Sequence, residues 1–317
     1  MTVGCRIAPV SAAVALDSVI ETPHGRAMTR SLIIAGATGY GVWPANTLEG
    51  ARRCLEAPVD GLEIDVQLTA DGHVVAHHDY RLKRSQTRLD GEWLTETGPA
   101  LKTLTLDQLQ AYDVGRSRPG SYEAEHYPKR EGLDGARVPT LPALLDALKT
   151  APGPHRLIYV EIKTDPQDPE DASDPAAITG AVIDALEAAD YVAHAKVIAF
   201  DWSVLRLARA RRPDLATAHL TIPPVLHPTI KRLANGDSPW ADGFDPRHHG
   251  GSELAAIKAH GGEEWSPHLV DITPERLAEA AALGLKVGPW GVSDAQDIAR
   301  LQAMGVFSIT ASGPAWG

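Results

Sequence analysis

The chain has 317 residues, 44% of them hydrophobic and 22% charged, enough to bury a large core and unlike the composition of a disordered segment. Its 41 acids outnumber its 30 bases, for a net charge of −11 at pH 7, which argues against nonspecific binding to nucleic acid or an anionic membrane, since both need a basic surface. Two cysteines, Cys5 and Cys54, form neither a disulfide framework nor a zinc spacing, so a reducing, cytoplasmic setting is expected.

Residues 7–16 (IAPVSAAVAL) resemble the apolar core of a signal peptide. The preceding segment carries only Arg6 as a side-chain charge, however, and Asp17 closes the run. Met28 is a second candidate start, and 1–30 is expected to be a poorly ordered extension ahead of one domain over 31–317. No apolar run approaches the ~18 residues of a membrane span, so no stable membrane insertion is expected.

Short apolar runs then alternate with helical periodicity. SLIIAG (31–36), DGLEIDV (60–66), HVVAHH (73–78), RLIYVEIK (156–163), KVIAF (196–200), ATAHLTI (216–222), LKVGPW (285–290) and VFSIT (306–310) read as strands. Helices are expected over 46–57, 139–150, 174–189, 203–212, 252–260, 273–284 and 293–305, several opening on Ser, Thr, Asp or Asn and two ending in Gly. About 80–138 is rich in Gly, Pro and charge without clear periodicity and reads as an insertion, while DPQDPEDASDP (165–175) reads as a surface loop. Strand–helix alternation with about eight units predicts a parallel α/β fold closed as a (β/α)₈ TIM barrel.

The stretch GLEIDVQLTADGHVVAHHD (61–79) carries the chemistry. Strand alternation puts Glu63 and Asp65 on one face and Leu62, Ile64 and Val66 on the other. In YVEIK, Glu161 and Lys163 also share a face near the C-terminal end of a strand, where barrel sites form. Three acids and a lysine are costly to bury unpaired, and become favourable when a divalent cation and an anion sit among them. All-oxygen ligation suits Mg²⁺ or Ca²⁺ rather than zinc, and Lys163 would then meet a phosphate oxygen. His78 supplies a group that titrates near neutrality, with Asp79 placed to hold its ring. His77 should face the other way, as packing.

These motifs resemble those of the glycerophosphodiester phosphodiesterase family. The likeness covers approximately 31–314 and is carried by WPANTLEG (43–50), residues 61–79, AYDVGRSRPG (111–120), DGARVPTLPALLDAL (134–148), YVEIK (159–163), AFDWSVL (199–205) and WSPHLVDITPERLAEAAALGLKVGPW (265–290). It implies a (β/α)₈ barrel with a segment inserted after the second strand. It implies Glu63, Asp65 and Glu161 as metal ligands, His78 as a catalytic acid/base, Lys163 as a phosphate contact and Trp290 as a wall of the substrate pocket. Departures stand beside these matches. The family's His-Arg-Gly triplet at the end of the first strand is absent from IIAGATGYGVWPANT, Ala45 stands where a glutamate is usual, and GVFSITAS (305–312) replaces an aspartate-rich pattern. His219 and His24 are the substitute histidines, the first able to point inward from its strand and the second placed before the barrel.

Two functions follow from the residues: a metal-dependent hydrolase of small, soluble glycerophosphodiesters, or a pseudoenzyme that keeps the metal site and only binds a phosphodiester or phosphate. A third, a scaffold with purely structural carboxylates, fits the combined acid, lysine and histidine pattern poorly.

Overall fold

Eight parallel strands close into a barrel in the computed structural model of the chain, which describes residues 19–21, 27–153, 156–223, 226 and 237–313. They are β1 (Leu32–Ala35), β2 (Gly61–Leu68), β3 (Leu157–Ile162), β4 (Ala195–Ala199), β5 (Ala216–Thr221), β6 (Glu264–Pro267), β7 (Lys286–Val287) and β8 (Ser308–Ala311). Hydrogen-bonded order runs from β7 back to β1 and on to β8. The seam closes where the Phe307 N–H donates to Val287 O at 2.8 Å and the Thr310 N–H to Pro289 O at 2.9 Å.

Between the strands lie α1 (Leu48–Glu56), α2 (Leu141–Thr150), α3 (Pro175–Ala188), α4 (Trp202–Arg211), α5 (Glu253–Ala259), α6 (Pro274–Ala282) and α7 (Ala295–Ala303). Each starts where the sequence supplies a cap. Thr47, Thr140, Asp174, Asp201, Ser252, Thr273 and Asp294 all accept a first-turn backbone N–H, satisfying donors that the helix itself cannot.

Strand alternation divides the core. Leu62, Ile64, Val66, Ile158, Val160, Ile162 and Val197 pack outward under the helices. Ile34, Tyr159, Ile198, Ala218 and Leu220 fill the barrel interior. A buried ion pair, Lys196 Nζ to Glu264 Oε2 at 2.6 Å, also lies there, with the ammonium 4.1 Å from the Tyr159 ring centroid.

The strand count expected from sequence is right but its membership is not. HVVAHH is not a barrel strand: Val74–Ala76 folds back antiparallel on the end of β2, pairing Val66 with Ala76 and Leu68 with Val74. The turn is made by Thr69–Gly72, where Gly72 takes φ +83, a conformation that favours glycine. The barrel strand that the sequence does not announce is β6, whose EWSP is too short and too polar to read as an apolar run.

Residues between this hairpin and α2 form a small three-stranded sheet (Arg88–Leu89, Glu92–Trp93 and Tyr112–Asp113) and two short helices (Leu106–Leu109 and Tyr122–His126). Together with Val75 of the hairpin they form their own cluster, Leu82, Leu101, Leu109 and Val138. The chain divides into two units, Met1–Arg30 and Ser31–Gly317. In the first unit, Val19–Glu21 pairs antiparallel with Ala27–Thr29. The 7–16 run, Cys5 and His24 lie outside the described residues. Among the described residues no helix is long and apolar enough to cross a membrane.

Candidate active site

The β2–β3 register sets Asp65 directly beside Glu161, and Glu63 lies two residues earlier on the same face. All three are buried, and they offer carboxylate oxygens within 4.8 Å of one another. Lys163, the first residue after β3, places its ammonium 2.8 Å from Asp65 Oδ1 and against Glu161 Oε1. Asn46 fixes Asp65 from the other side: its Nδ2 donates to Asp65 Oδ2 at 2.8 Å and its Oδ1 accepts the Asp65 N–H at 3.1 Å.

Each charge responds to this crowding. Burial, then Asp65 and Glu161, raise the Glu63 carboxyl well above its ordinary range, against the Ala37 N–H and Lys163. Burial likewise raises Glu161 despite Lys163. Asp65 is lowered because Lys163, His78 and Asn46 together outweigh its burial. Lys163 is raised, since the two carboxylates outweigh the cost of burying it.

The hairpin delivers the histidine. Its return strand brings the His77 N–H to Asp65 O at 2.9 Å, so that His78 falls at the mouth of the carboxylate cluster. The His78 Nδ1 lies 3.2 Å from Asp79 Oδ1, and Lys83 Nζ holds the other Asp79 oxygen at 2.9 Å. Lys163 and desolvation push the His78 ring down, but Asp65 and Asp79 prevail and its pKa is raised. His77 turns away, and burial lowers it to about 4.

These groups share a cavity of about 400 Å³, with Ile198, Phe200, Leu220 and Trp290 as its apolar wall and Tyr40, Tyr127 and Arg130 on the side of the insertion. Trp290 stands edge-on to Phe200, with ring centroids 5.7 Å apart, and donates through Nε1 to Thr221 O at 3.3 Å. All six residues singled out from sequence, Glu63, Asp65, His78, Glu161, Lys163 and Trp290, line this one cavity.

His219 does not reach it, which corrects the inward orientation allowed from sequence. Its neighbours Ala218 and Leu220 occupy the barrel interior, so alternation turns His219 outward. There its Nε2 meets His260 Nδ1 at 2.8 Å under the Trp202 ring. At the end of β1, Gly36, Ala37 and Thr38 supply no titratable side chain, and Ala37 contributes its backbone N–H to Glu63 Oε2 at 2.7 Å.

Asn46, Tyr127 and Arg130 have no role assigned from sequence. Asn46 carries a local signal: it sits at φ +52 just ahead of the Thr47 cap, a backbone that asparagine tolerates better than most residues. Arg130 carries none, because its place depends on the path of the insertion.

The cluster fits a hard cation. Three buried carboxylates face one ammonium, and Glu63 Oε1 is buried with no hydrogen-bond partner among the described residues. Ionised together, the three would exceed the ammonium by two charges, a desolvation cost that the raised Glu63 and Glu161 carboxyls reflect. A divalent ion taking oxygen ligands removes that cost.

The family model for the glycerophosphoryl diester phosphodiesterase family matches residues 36–312. A solved protein of Silicibacter pomeroyi, provisionally named a glycerophosphoryl diester phosphodiesterase, is 31% identical with a TM-score of 0.78, covering 90% of this chain and 91% of its own. An Oleispira antarctica phosphodiesterase, solved with the product sn-glycerol-3-phosphate, is 18% identical with a TM-score of 0.63, covering 90% and 94%. The glycerophosphodiester phosphodiesterase of Caldanaerobacter subterraneus is 24% identical over 285 residues, 90% of this chain and 95% of that protein. Barrel, carboxylate cluster and matched length agree, and the chain belongs to the glycerophosphoryl diester phosphodiesterase family.

Proposed function

We propose that the protein hydrolyses soluble glycerophosphodiesters to glycerol phosphate and an alcohol, with Mg²⁺ or Ca²⁺ held by Glu63, Asp65 and Glu161. The observation that carries this reading is the buried three-carboxylate cluster at the mouth of the barrel, in which Glu63 Oε1 has no hydrogen-bond partner among the described residues. When bound, the cation supplies Lewis-acid stabilisation of charge on a phosphoryl oxygen.

The chain's own groups do the rest. Lys163 spends two of its N–H donors on Asp65 and Glu161, which fixes both carboxylates and leaves the third donor for a phosphoryl oxygen. Asp79 holds His78 through Nδ1, so Nε2 is the atom that exchanges a proton with the ester or its attacking hydroxyl. Trp290 and Phe200 form an apolar face for an alcohol substituent and keep water from that side. The Oleispira relative's glycerol phosphate product supports the product class, and the chain's net charge of −11 favours soluble diesters over an anionic lipid surface.

The test is release of glycerol-3-phosphate from glycerophosphocholine with and without Mg²⁺ or Ca²⁺. Cation-dependent release that disappears in Glu161→Ala and His78→Ala is the expected result. Release that ignores the cation, or survives both substitutions, refutes the reading.

A second reading, a phosphate-ester binder without turnover, is favoured by one observation: His78 is the only histidine lining the cavity among the described residues. One acid/base group where two would share the work costs on the order of 10²–10⁴ in rate. Calorimetric binding of glycerol-3-phosphate with no product release would select it.

A further inference from the structure

We infer that Arg130, carried by the inserted segment, binds an anionic oxygen of the substrate's phosphoryl group. This deepens the proposed function and rests on a phosphate ester as the ligand of the cavity.

Charge pairing points to this residue. The lysines and arginine lining the cavity, among the described residues, are Lys83, Lys163 and Arg130. Lys83 Nζ is 2.9 Å from Asp79 Oδ2 and 3.9 Å from Glu123 Oε1. Lys163 lies between Asp65 and Glu161. Arg130 forms no ion pair among the described residues: Tyr127, Tyr40 and, at longer range, Glu123 are what oppose its burial, and burial prevails to lower its pKa. Its Nε is buried with no hydrogen-bond partner among the described residues, while Nη1 donates to Ser117 Oγ at 3.3 Å. A guanidinium desolvated without a counter-charge is costly, and an anion entering the cavity offsets that cost.

The side chain is held in place without neutralisation. Its guanidinium carbon lies 4.6 Å from the Tyr127 ring centroid and 6.0 Å from that of Tyr40. The next residue, Glu131, anchors the backbone by donating its N–H to Val42 O at 2.7 Å, and its carboxylate takes Arg53 Nη1 at 2.5 Å. Cation–π attraction to these two rings holds the guanidinium without using its N–H groups, which leaves donors for an oxyanion, for which two-pronged pairing by arginine is strong. A phosphodiester carries one negative charge, and three ionised carboxylates more than neutralise a divalent cation, so the cluster has no surplus positive charge for it. Arg130 is the basic group on this wall whose charge is not already taken.

The experiment measures sn-glycerol-3-phosphate affinity by calorimetry on the Mg²⁺-loaded protein, with glycerol as an uncharged control, in wild type, Arg130→Gln and Arg130→Lys. Arg130→Gln should weaken glycerol phosphate binding by roughly 10- to 100-fold, the size of a lost charge-assisted pair. Glycerol binding should not change, and Arg130→Lys should recover part of the loss. Equal affinity in wild type and Arg130→Gln overturns the inference, as does equal loss for glycerol and glycerol phosphate. A matching melting temperature for Arg130→Lys guards against a folding defect. Because binding is read without turnover, the two claims separate. A wild type that binds glycerol phosphate through Arg130 yet releases no product sinks the hydrolase and keeps the inference, while intact hydrolysis with unchanged binding does the reverse.

Discussion

Glu63 accepts the Ala37 N–H through Oε2 at 2.7 Å, while its second oxygen, Oε1, is buried without a partner among the described residues. Ala37 makes this contact from the left-handed region, at φ +42, where an alanine is uncommon. The uncommon backbone of Ala37 thus orients a carboxylate of the cluster.

Without a cation, Glu63 should make the protein sensitive to base. Burial raises its folded pKa above the ordinary 4.5. Its contribution to stability is therefore complete below the unfolded value and lost as pH rises through the folded one. Mg²⁺ or Ca²⁺ should raise Tm more at alkaline than at mildly acidic pH. Glu63→Gln should melt higher than wild type without metal and respond little to the ion. Scanning calorimetry decides, and an equal metal-induced shift in both proteins removes Glu63 from the ligand set.

His78 should set the alkaline limb of activity if it protonates the leaving alcohol. Lys163 and desolvation act against its charge, and Asp65 with Asp79 more than compensates, lifting it above its ordinary 6.5. His78→Ala should lower kcat by roughly 10²–10⁴. Asp79→Asn removes a supporting negative charge, so the fall in activity should move to lower pH. A pH–rate profile of Asp79→Asn that superimposes on wild type would assign the ring's support elsewhere.

His219 should govern acid stability and leave catalysis alone. Burial first, then His260 and Arg209, hold its folded pKa well below the ordinary 6.5. A lowered value contributes stability that is present above the unfolded pKa and is lost as pH falls through the range below it. In His219→Phe the acid-induced drop in Tm should shrink while kcat/KM at neutral pH stays as in wild type. The Arg209 Nη2, 3.1 Å from His260 Nδ1, still serves His260 in that variant. An unchanged pH dependence of Tm would show that another group carries the acid sensitivity.

What is legible in the sequence follows from how local each feature is. The barrel helices are visible because caps such as Thr47, Asp174 and Thr273 act within one turn. The acids of β2 and β3 stand out because an apolar strand with charges at every second position has one polar face. β6 escapes notice since Glu264–Pro267 is made a strand by its neighbours, with Trp265 beside His219 in register, rather than by its own residues. His77–Asp79 read as the end of a barrel strand, yet it is the Gly72 turn that returns them toward Asp65. Arg130 lies 67 positions from Glu63, and its approach depends on the Glu131–Val42 bond, which no periodicity encodes.

The barrel is unevenly fastened. β2 and β3 pair continuously from Gly61–Leu157 to Val66–Ile162, whereas β7 spans only Lys286–Val287 and meets β8 through scattered bonds. Local opening is easiest where such pairing is sparse. The carboxylates stand on the continuously paired strands, and Trp290, just beyond β7, is held instead by single bonds, its N–H to Pro267 O at 2.9 Å and its indole to Thr221 O at 3.3 Å. The cavity thus takes its shape on one side and its charge on another, so a substitution at Trp290 changes the room available without touching the carboxylates.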